Sequence, residues 1–233
     1  RRQRQMCIRD RAFAVMGIGP QDNIFSIDAS VLEQRLQKCP AIRRADVKYQ
    51  VSSNPTLIVD IDARIPAAWI DCPELGIHPG DAKYGVLADK DGVMFPCMET
   101  IHMPYIQEKK LPSVSLRPPS SGQLAYGVRT RDLEAPMQLI ELLSGAVSEF
   151  LPGIVSISTP NDWSFCVRFS NDCQATFSHY GLERQVDKLE QALEHARQTH
   201  RKINAINLIP EHNVPVLFDG AYEDIPLAEP IEE

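Results

Sequence analysis

From Leu57 to Arg64 the chain alternates. Leu57, Val59, Ile61 and Ala63 stand against Ile58, Asp60, Asp62 and Arg64. Side chains of a strand point in turn to opposite faces, so this period of two predicts a strand in a sheet with one wetter face. Upstream, Ile42, Ala45, Val47 and Tyr49 read as another strand, with the turn at Asn54-Pro55. Before that, Asp28 or Ser30 can cap a helix whose apolar face is Val31, Leu32 and Leu36, and Cys39-Pro40 ends it. Ala12 to Gly17 is a short apolar stretch closed by Gly17-Ile18-Gly19-Pro20, a helix stop. The order helix, helix, strand, strand describes a small α+β unit.

From Ala67 onward strands and turns dominate. Ala67 to Asp71 reads as a strand, and Gly76 to Lys83 as a loop. Tyr84 to Ala88 and Val93 to Phe95 flank Asp89-Lys90-Asp91-Gly92, a hairpin turn in which Asp-Gly tolerates positive φ. Pro112 to Tyr126, with Pro118-Pro119-Ser120-Ser121-Gly122, reads as an exposed loop. Pro136 to Phe150 carries Met137, Ile140, Leu143 and Val147 at helical spacing. Ile154 to Ile157, Trp163 to Phe169 and Cys173 to Phe177 read as strands, the last two joined at Asn171-Asp172. A regular helix runs from Glu183 to about Lys202, with Val186, Leu189, Leu193 and Ala196 as a narrow stripe. Ala205 to Ile209 and Val214 to Phe218 are the last strands. The end, from Tyr222 to Glu233, is acidic and contains proline, and is expected to be disordered.

Composition narrows the function. A formal net charge of −7 with no basic stripe disfavours nucleic acid as a partner. No run of about 18 apolar residues is present, and no signal peptide is visible. The six cysteines, Cys7, Cys39, Cys72, Cys97, Cys166 and Cys173, contain no CxxC pair. Half-buried thiols are the expectation, with a Cys72–Cys97 bridge the alternative in an oxidising compartment. The hexapeptide from Met6 to Arg11 resembles the translation of a transposon-end sequencing adapter. Residues 1–11 are therefore expected to be non-native, with a basic helix start as the alternative.

No catalytic set is visible. The six histidines, His78, His102, His179, His195, His200 and His212, form no HExxH or HxH pair and are expected to be solvated. Gly17-Ile18-Gly19 lacks the third glycine of a phosphate cradle, and Pro20 removes a donor. No GxSxG elbow occurs. Glu183, Asp187, Glu190 and Glu194 suit a wet helix face, and Trp69 and Trp163 read as core or half-buried residues. The expectation is no enzyme, no cofactor and no metal. What remains is an interaction protein, and such proteins often use an exposed sheet edge. Val214, Pro215, Val216, Leu217 and Phe218 are the candidate edge. Pro215 lacks an N–H, so at an edge it either interrupts pairing or points its missing donor outward.

Several segments, in order, resemble the FtsQ/DivIB family of bacterial division proteins. Asn23 to Asp28, Leu32 to Leu36 and Pro40 to Val47 are similar to that family's POTRA signature. Asn54 to Val59 and Arg64-Ile65-Pro66-Ala67-Ala68 continue it, although Ala63 stands where a glutamate is usual. Gly85 to Phe95 resembles the family's hairpin, Leu111-Pro112 its LP pair, and Ala175 to Gly181 with Lys188-Leu189 its strand–glycine–helix element. Leu208-Ile209-Pro210 replaces the family's Asp-Leu-Arg stretch. The resemblance implies an α+β fold with a POTRA-like domain over 12–66, its first strand missing. A larger mixed β-sheet domain with two helices follows over 67–220, then an acidic tail over 221–233. It further implies a scaffold of the division complex, single-pass in the inner membrane with this part in the periplasm. Such a scaffold recruits FtsB/FtsL-like partners through the last strand, Val214 to Phe218. Another POTRA-bearing envelope protein for outer-membrane assembly or secretion is the first alternative, and an unrecognised enzyme the second.

Overall fold

The structure, a computed structural model, describes residues 17, 26–51, 56–119, 122–145 and 152–219. Most of the expected Ala12–Gly17 helix, the Asn54-Pro55 turn, Val147 and the acidic tail lie outside these residues, as do residues 1–11. Among the described residues, eleven strands and four α-helices make a mixed α+β fold. The chain divides into two compact units, Arg1–Met137 and Gln138–Glu233.

In the first unit, helix α1 (Ala29–Gln37) is followed by β1 (Ile42–Gln50) and β2 (Thr56–Ala63). Asp28 is the cap: its carboxylate accepts from Ser30 N at 2.8 Å and from the Ser30 hydroxyl at 2.7 Å. These bonds, the hydroxyl's first, hold the Asp28 carboxyl below its ordinary range. β1 and β2 pair antiparallel from Ile42↔Ala63 to Gln50↔Thr56, a sheet of two strands among the described residues. Leu32 and Leu36 pack on Ala45 and Val47, with Leu57, Val59 and Ile61 partly buried around them. Each buried leucine contributes about 1.5–3 kcal/mol by leaving water, which is why the alternation places Leu57, Val59 and Ile61 on the helix side. Val31, expected on the apolar face of α1, is 41% exposed.

The rest of this unit is built on β3 (Pro66–Asp71), β4 (Val86–Asp89), β5 (Met94–Pro96), helix α2 (Glu99–Glu108) and β6 (Ser113–Ser115). The strand order is β6-β3-β4-β5, parallel between β6 and β3 and antiparallel elsewhere. Gly92 at φ +74° turns the β4–β5 hairpin as its Asp-Gly signal predicts. Gly85 admits the Trp69 ring, because a Cβ there would lie 2.7 Å from it. Trp69, Leu87, Phe95, Cys97 and Ala41 form one core cluster, against which Met103 and Ile106 of α2 pack.

Two elements differ from expectation. No helix was expected over Glu99–Glu108, where Pro104 and a weak apolar stripe hide it; packing on Phe95 and Trp69 decides it. β6 lies inside the expected Pro112–Tyr126 loop, and Val114 is fully buried beside Ile70.

Helix α3 (Glu134–Gly145) contains the division between the units. The second unit holds β7 (Ile154–Ser158), β8 (Ser164–Phe169), β9 (Gln174–Ser178), helix α4 (Leu182–Gln198), β10 (Ile203–Asn207) and β11 (Val216–Phe218). Its strand order is β11-β10-β9-β8-β7, with β9 and β10 parallel and the other neighbours antiparallel. Phe165 and Phe177 face each other across β8 and β9, centroids 5.6 Å apart, with Phe169 buried near them. The expected stripe of α4 is largely the buried face, through Val186, Leu189 and Ala196. Its first turn is held by Gln185, whose side chain accepts from Ser178 N at 2.8 Å and donates to Tyr180 O at 2.8 Å. α4 ends at Gln198, so His200 lies beyond it and not on the helix as its spacing from His195 implied. Trp163, expected buried or half-buried, precedes β8 and is 59% exposed.

Candidate partner-docking edge

β10 and β11 are joined by residues Leu208 to Pro215, and that connection is tied down. Lys188 Nζ on α4 donates to Pro210 O at 2.7 Å, and Leu208 N donates to Thr176 O of β9 at 2.9 Å. Leu208 is fully buried, which makes this end of the hairpin a rigid support. The candidate edge is shorter than expected. Val216–Phe218 form the strand, and Val214 and Pro215 lead into it.

Register decides what the edge offers. β11 pairs antiparallel with β10, with Ile206↔Val216, Ala205↔Leu217 and Ile203↔Phe218, and a bulge between Ile203 and Ala205. Asn207 N donates to Pro215 O at 3.0 Å, and Asp219 N donates to Lys202 O at 2.8 Å. In an antiparallel pair, residues whose N–H and C=O face the partner strand alternate with residues facing away. Pro215, Leu217 and Asp219 therefore face β10, and Val214, Val216 and Phe218 turn their backbone groups outward. β11 ends the strand order, and no described backbone group bonds Val216 or Phe218 from that side.

Of the two alternatives for Pro215, the outward-pointing one does not hold. The Pro215 carbonyl accepts from β10, so its missing N–H also lies on the β10 side. The outward edge keeps its donors, and pairing with β10 survives at the neighbouring position. The sequence alone has no signal for this, because parity follows from which residue of β10 stands opposite.

Side chains alternate as the backbone does. Val214, Val216 and Phe218 are half-buried, and Pro215, Leu217 and Asp219 are exposed. The Arg201 guanidinium lies 5.4 Å over the Phe218 ring, and Asn204 Nδ2 donates to Asp219 Oδ1 at 3.2 Å. These contacts hold the C-terminal end of the strand flat against β10.

Among the described residues, no group of three His, Cys, Asp or Glu side chains is placed to hold a metal. A cavity of about 400 Å³ is lined by Met94, Leu116, Thr130 and Asp132 among others. His102 was expected to be solvated. It is 1% exposed, and its Nδ1 accepts from Met98 N at 2.9 Å at the start of α2. The ring is tilted against Phe95 at 5.2 Å, a packing and capping role. Cys72 and Cys97 are both buried, and no disulfide joins them. Burial pushes the Cys173 thiol up to about 11.

Two segments that carry the family resemblance meet in space. Arg64 Nη1 lies 2.6 Å from Asp89 Oδ2, both side chains largely buried, and Arg64 Nε donates to Pro40 O at 3.0 Å. Asp89 Oδ1 accepts from Asp91 N and Val93 N at 3.0 and 2.9 Å, which shapes the β4–β5 turn. The Arg-Pro stretch and the hairpin are thus joined by one buried ion pair.

No protein-family model matches the chain, and no curated protein matches its sequence. No described helix is long and apolar enough to cross a membrane.

Proposed function

We propose that this chain is a non-catalytic scaffold of the bacterial division complex that captures an extended segment of an FtsB/FtsL-like partner by strand addition at β11. The observation that carries the docking half is an edge that no other described strand covers, with Val216 and Phe218 presenting outward N–H and C=O groups. Main-chain hydrogen bonds supply affinity in such a complex, and side-chain pockets on alternate residues supply selectivity. Recognition through backbone also tolerates the replacement of the family's Asp-Leu-Arg stretch by Leu208-Ile209-Pro210. The partner's identity rests on the ordered resemblance over residues 12–218. The same resemblance supports a site of action on the outer side of the inner membrane.

The test is binding of a synthetic FtsB-like peptide to the whole chain, measured by calorimetry. Replacing Val214 and Val216 with a charged pair is expected to abolish binding while the thermal melt stays cooperative. Unchanged affinity in a folded variant would count against the edge.

A further inference from the structure

β5 ends the strand order of the first unit, and its outer side is occupied. Asp89 N donates to Val93 O, and Cys97 N donates to Gly85 O, so Val93, Phe95 and Cys97 face β4. Met94 and Pro96 therefore face outward, as does the carbonyl of Gly92, whose N–H closes the turn on Asp89 O. On that side Gly127 N donates to Met94 O at 2.9 Å, Thr130 N donates to Gly92 O at 3.0 Å, and Arg129 bridges Val93. Pro96, just past this contact, is exposed and has no N–H to offer.

We propose that Gly127–Thr130 is a guard strand: it takes the place at β5 that a second copy of this chain would otherwise occupy. Three observations carry this. The backbone of β5 is self-complementary, because an antiparallel two-fold axis through Met94 would set its outward N–H and C=O against the same groups of another copy. The side chains are apolar and uncharged over Val93, Met94 and Phe95, the composition that makes an open edge associate. The guard itself is a surface segment: Tyr126, Gly127, Val128 and Arg129 are all exposed, so it contributes backbone cover and little core. Arg129 Nε is paired with Glu134 Oε1 at 3.1 Å, which fixes the guard's downstream end at the start of α3.

The guard explains why Pro96 and the strap occur together. Pro96 blanks the one outward position the strap does not reach. Each device alone leaves part of the edge open.

The test uses the whole chain and sedimentation equilibrium over a hundredfold concentration range. In the double variant Gly127→Val, Thr130→Pro the guard is released, because a β-branched residue rarely adopts the φ of +76° at Gly127 and Thr130 loses its donor. Self-association is expected to strengthen at least tenfold, with far-ultraviolet dichroism unchanged and peptide binding at β11 unaltered. Adding Met94→Pro, which removes the outward N–H of β5, is expected to return association to the starting level. Pro96→Thr with the guard intact should strengthen association by a smaller factor. A folded double variant that associates no more than the unaltered chain overturns the proposal. Unfolding of the double variant overturns it too, because a guard is dispensable to the fold and a core element is not.

Discussion

β5 and β11 each bring three residues to the end of a strand order, and each has a proline in or beside the strand. Their prolines have opposite parity. Pro96 lies among the outward positions of β5, where its missing N–H blanks the edge, and Gly127–Thr130 covers what is left. Pro215 lies among the inward positions of β11, so the outward N–H groups of Val216 and Phe218 survive. A proline near an edge is thus neither protection nor obstruction in itself. Which it becomes depends on the residue of the neighbouring strand that stands opposite.

The largest break of this contrast lies in the anchor of the closed edge. Asp89 accepts from Asp91 N, Val93 N and Arg64, so Asp89→Ala strands a largely buried guanidinium and frees the turn that leads into β5. Removing one partner of a buried pair costs several kcal/mol, and a loss of about 3 kcal/mol is expected in denaturant unfolding. A change below about 1 kcal/mol would show that the pair is solvated and that the turn stands without it.

Next comes the open edge. Val216→Pro removes one outward donor and should weaken partner-peptide binding at least tenfold, about 1.4 kcal/mol. Pro215→Ala, which restores an inward donor, should change it less than twofold. If the two substitutions act alike, the parity assignment is wrong.

Alkaline pH acts on the sheet that carries the open edge. Cys173, just before β9, titrates near 11 when folded against an ordinary 9.0, because burial disfavours the thiolate. The unfolded chain releases this proton first, so unfolding gains on folding as pH rises. This contribution to stability should hold below about pH 9 and be lost progressively up to about pH 11. Cys173→Ala should flatten that slope in melts recorded across the window, and an unchanged slope would place its origin elsewhere.

The smallest effect is expected at Leu217, whose side chain is 41% exposed while its backbone faces β10. Leu217→Ser should alter stability by no more than about 0.5 kcal/mol, as surface changes do. Peptide affinity should move less than threefold, since backbone groups carry recognition. A larger loss would make Leu217 a side-chain contact and shift the reading from strand addition to pocket recognition.

Local rules were legible where local forces decide. The alternation of Leu57 to Arg64, the Asp28 cap, the Asp-Gly turn and the α4 stripe all appear as read, because period, capping and φ depend on near neighbours. Helix α2 was not legible: Pro104 argues against it, and only burial of Met103 and Ile106 on a distant strand outweighs that. β6 was hidden in a proline-rich stretch, because three residues give too short a pattern to read. Residue type alone makes His102 a solvated side chain, and packing against Phe95 with the Met98 N–H reverses that.

The candidate edge divides the same way. Sequence alone determined that Val214 to Phe218 is a strand-forming, apolar segment near the end of the regular structure, and that proline makes its pairing special. Tertiary structure decided which of its residues pair inward, that Val216 and Phe218 keep outward donors, and that, among the described residues, β5 is covered and β11 is not. The reason is physical: hydrogen-bond parity and edge cover are relations between strands far apart in the chain, and no local propensity encodes them.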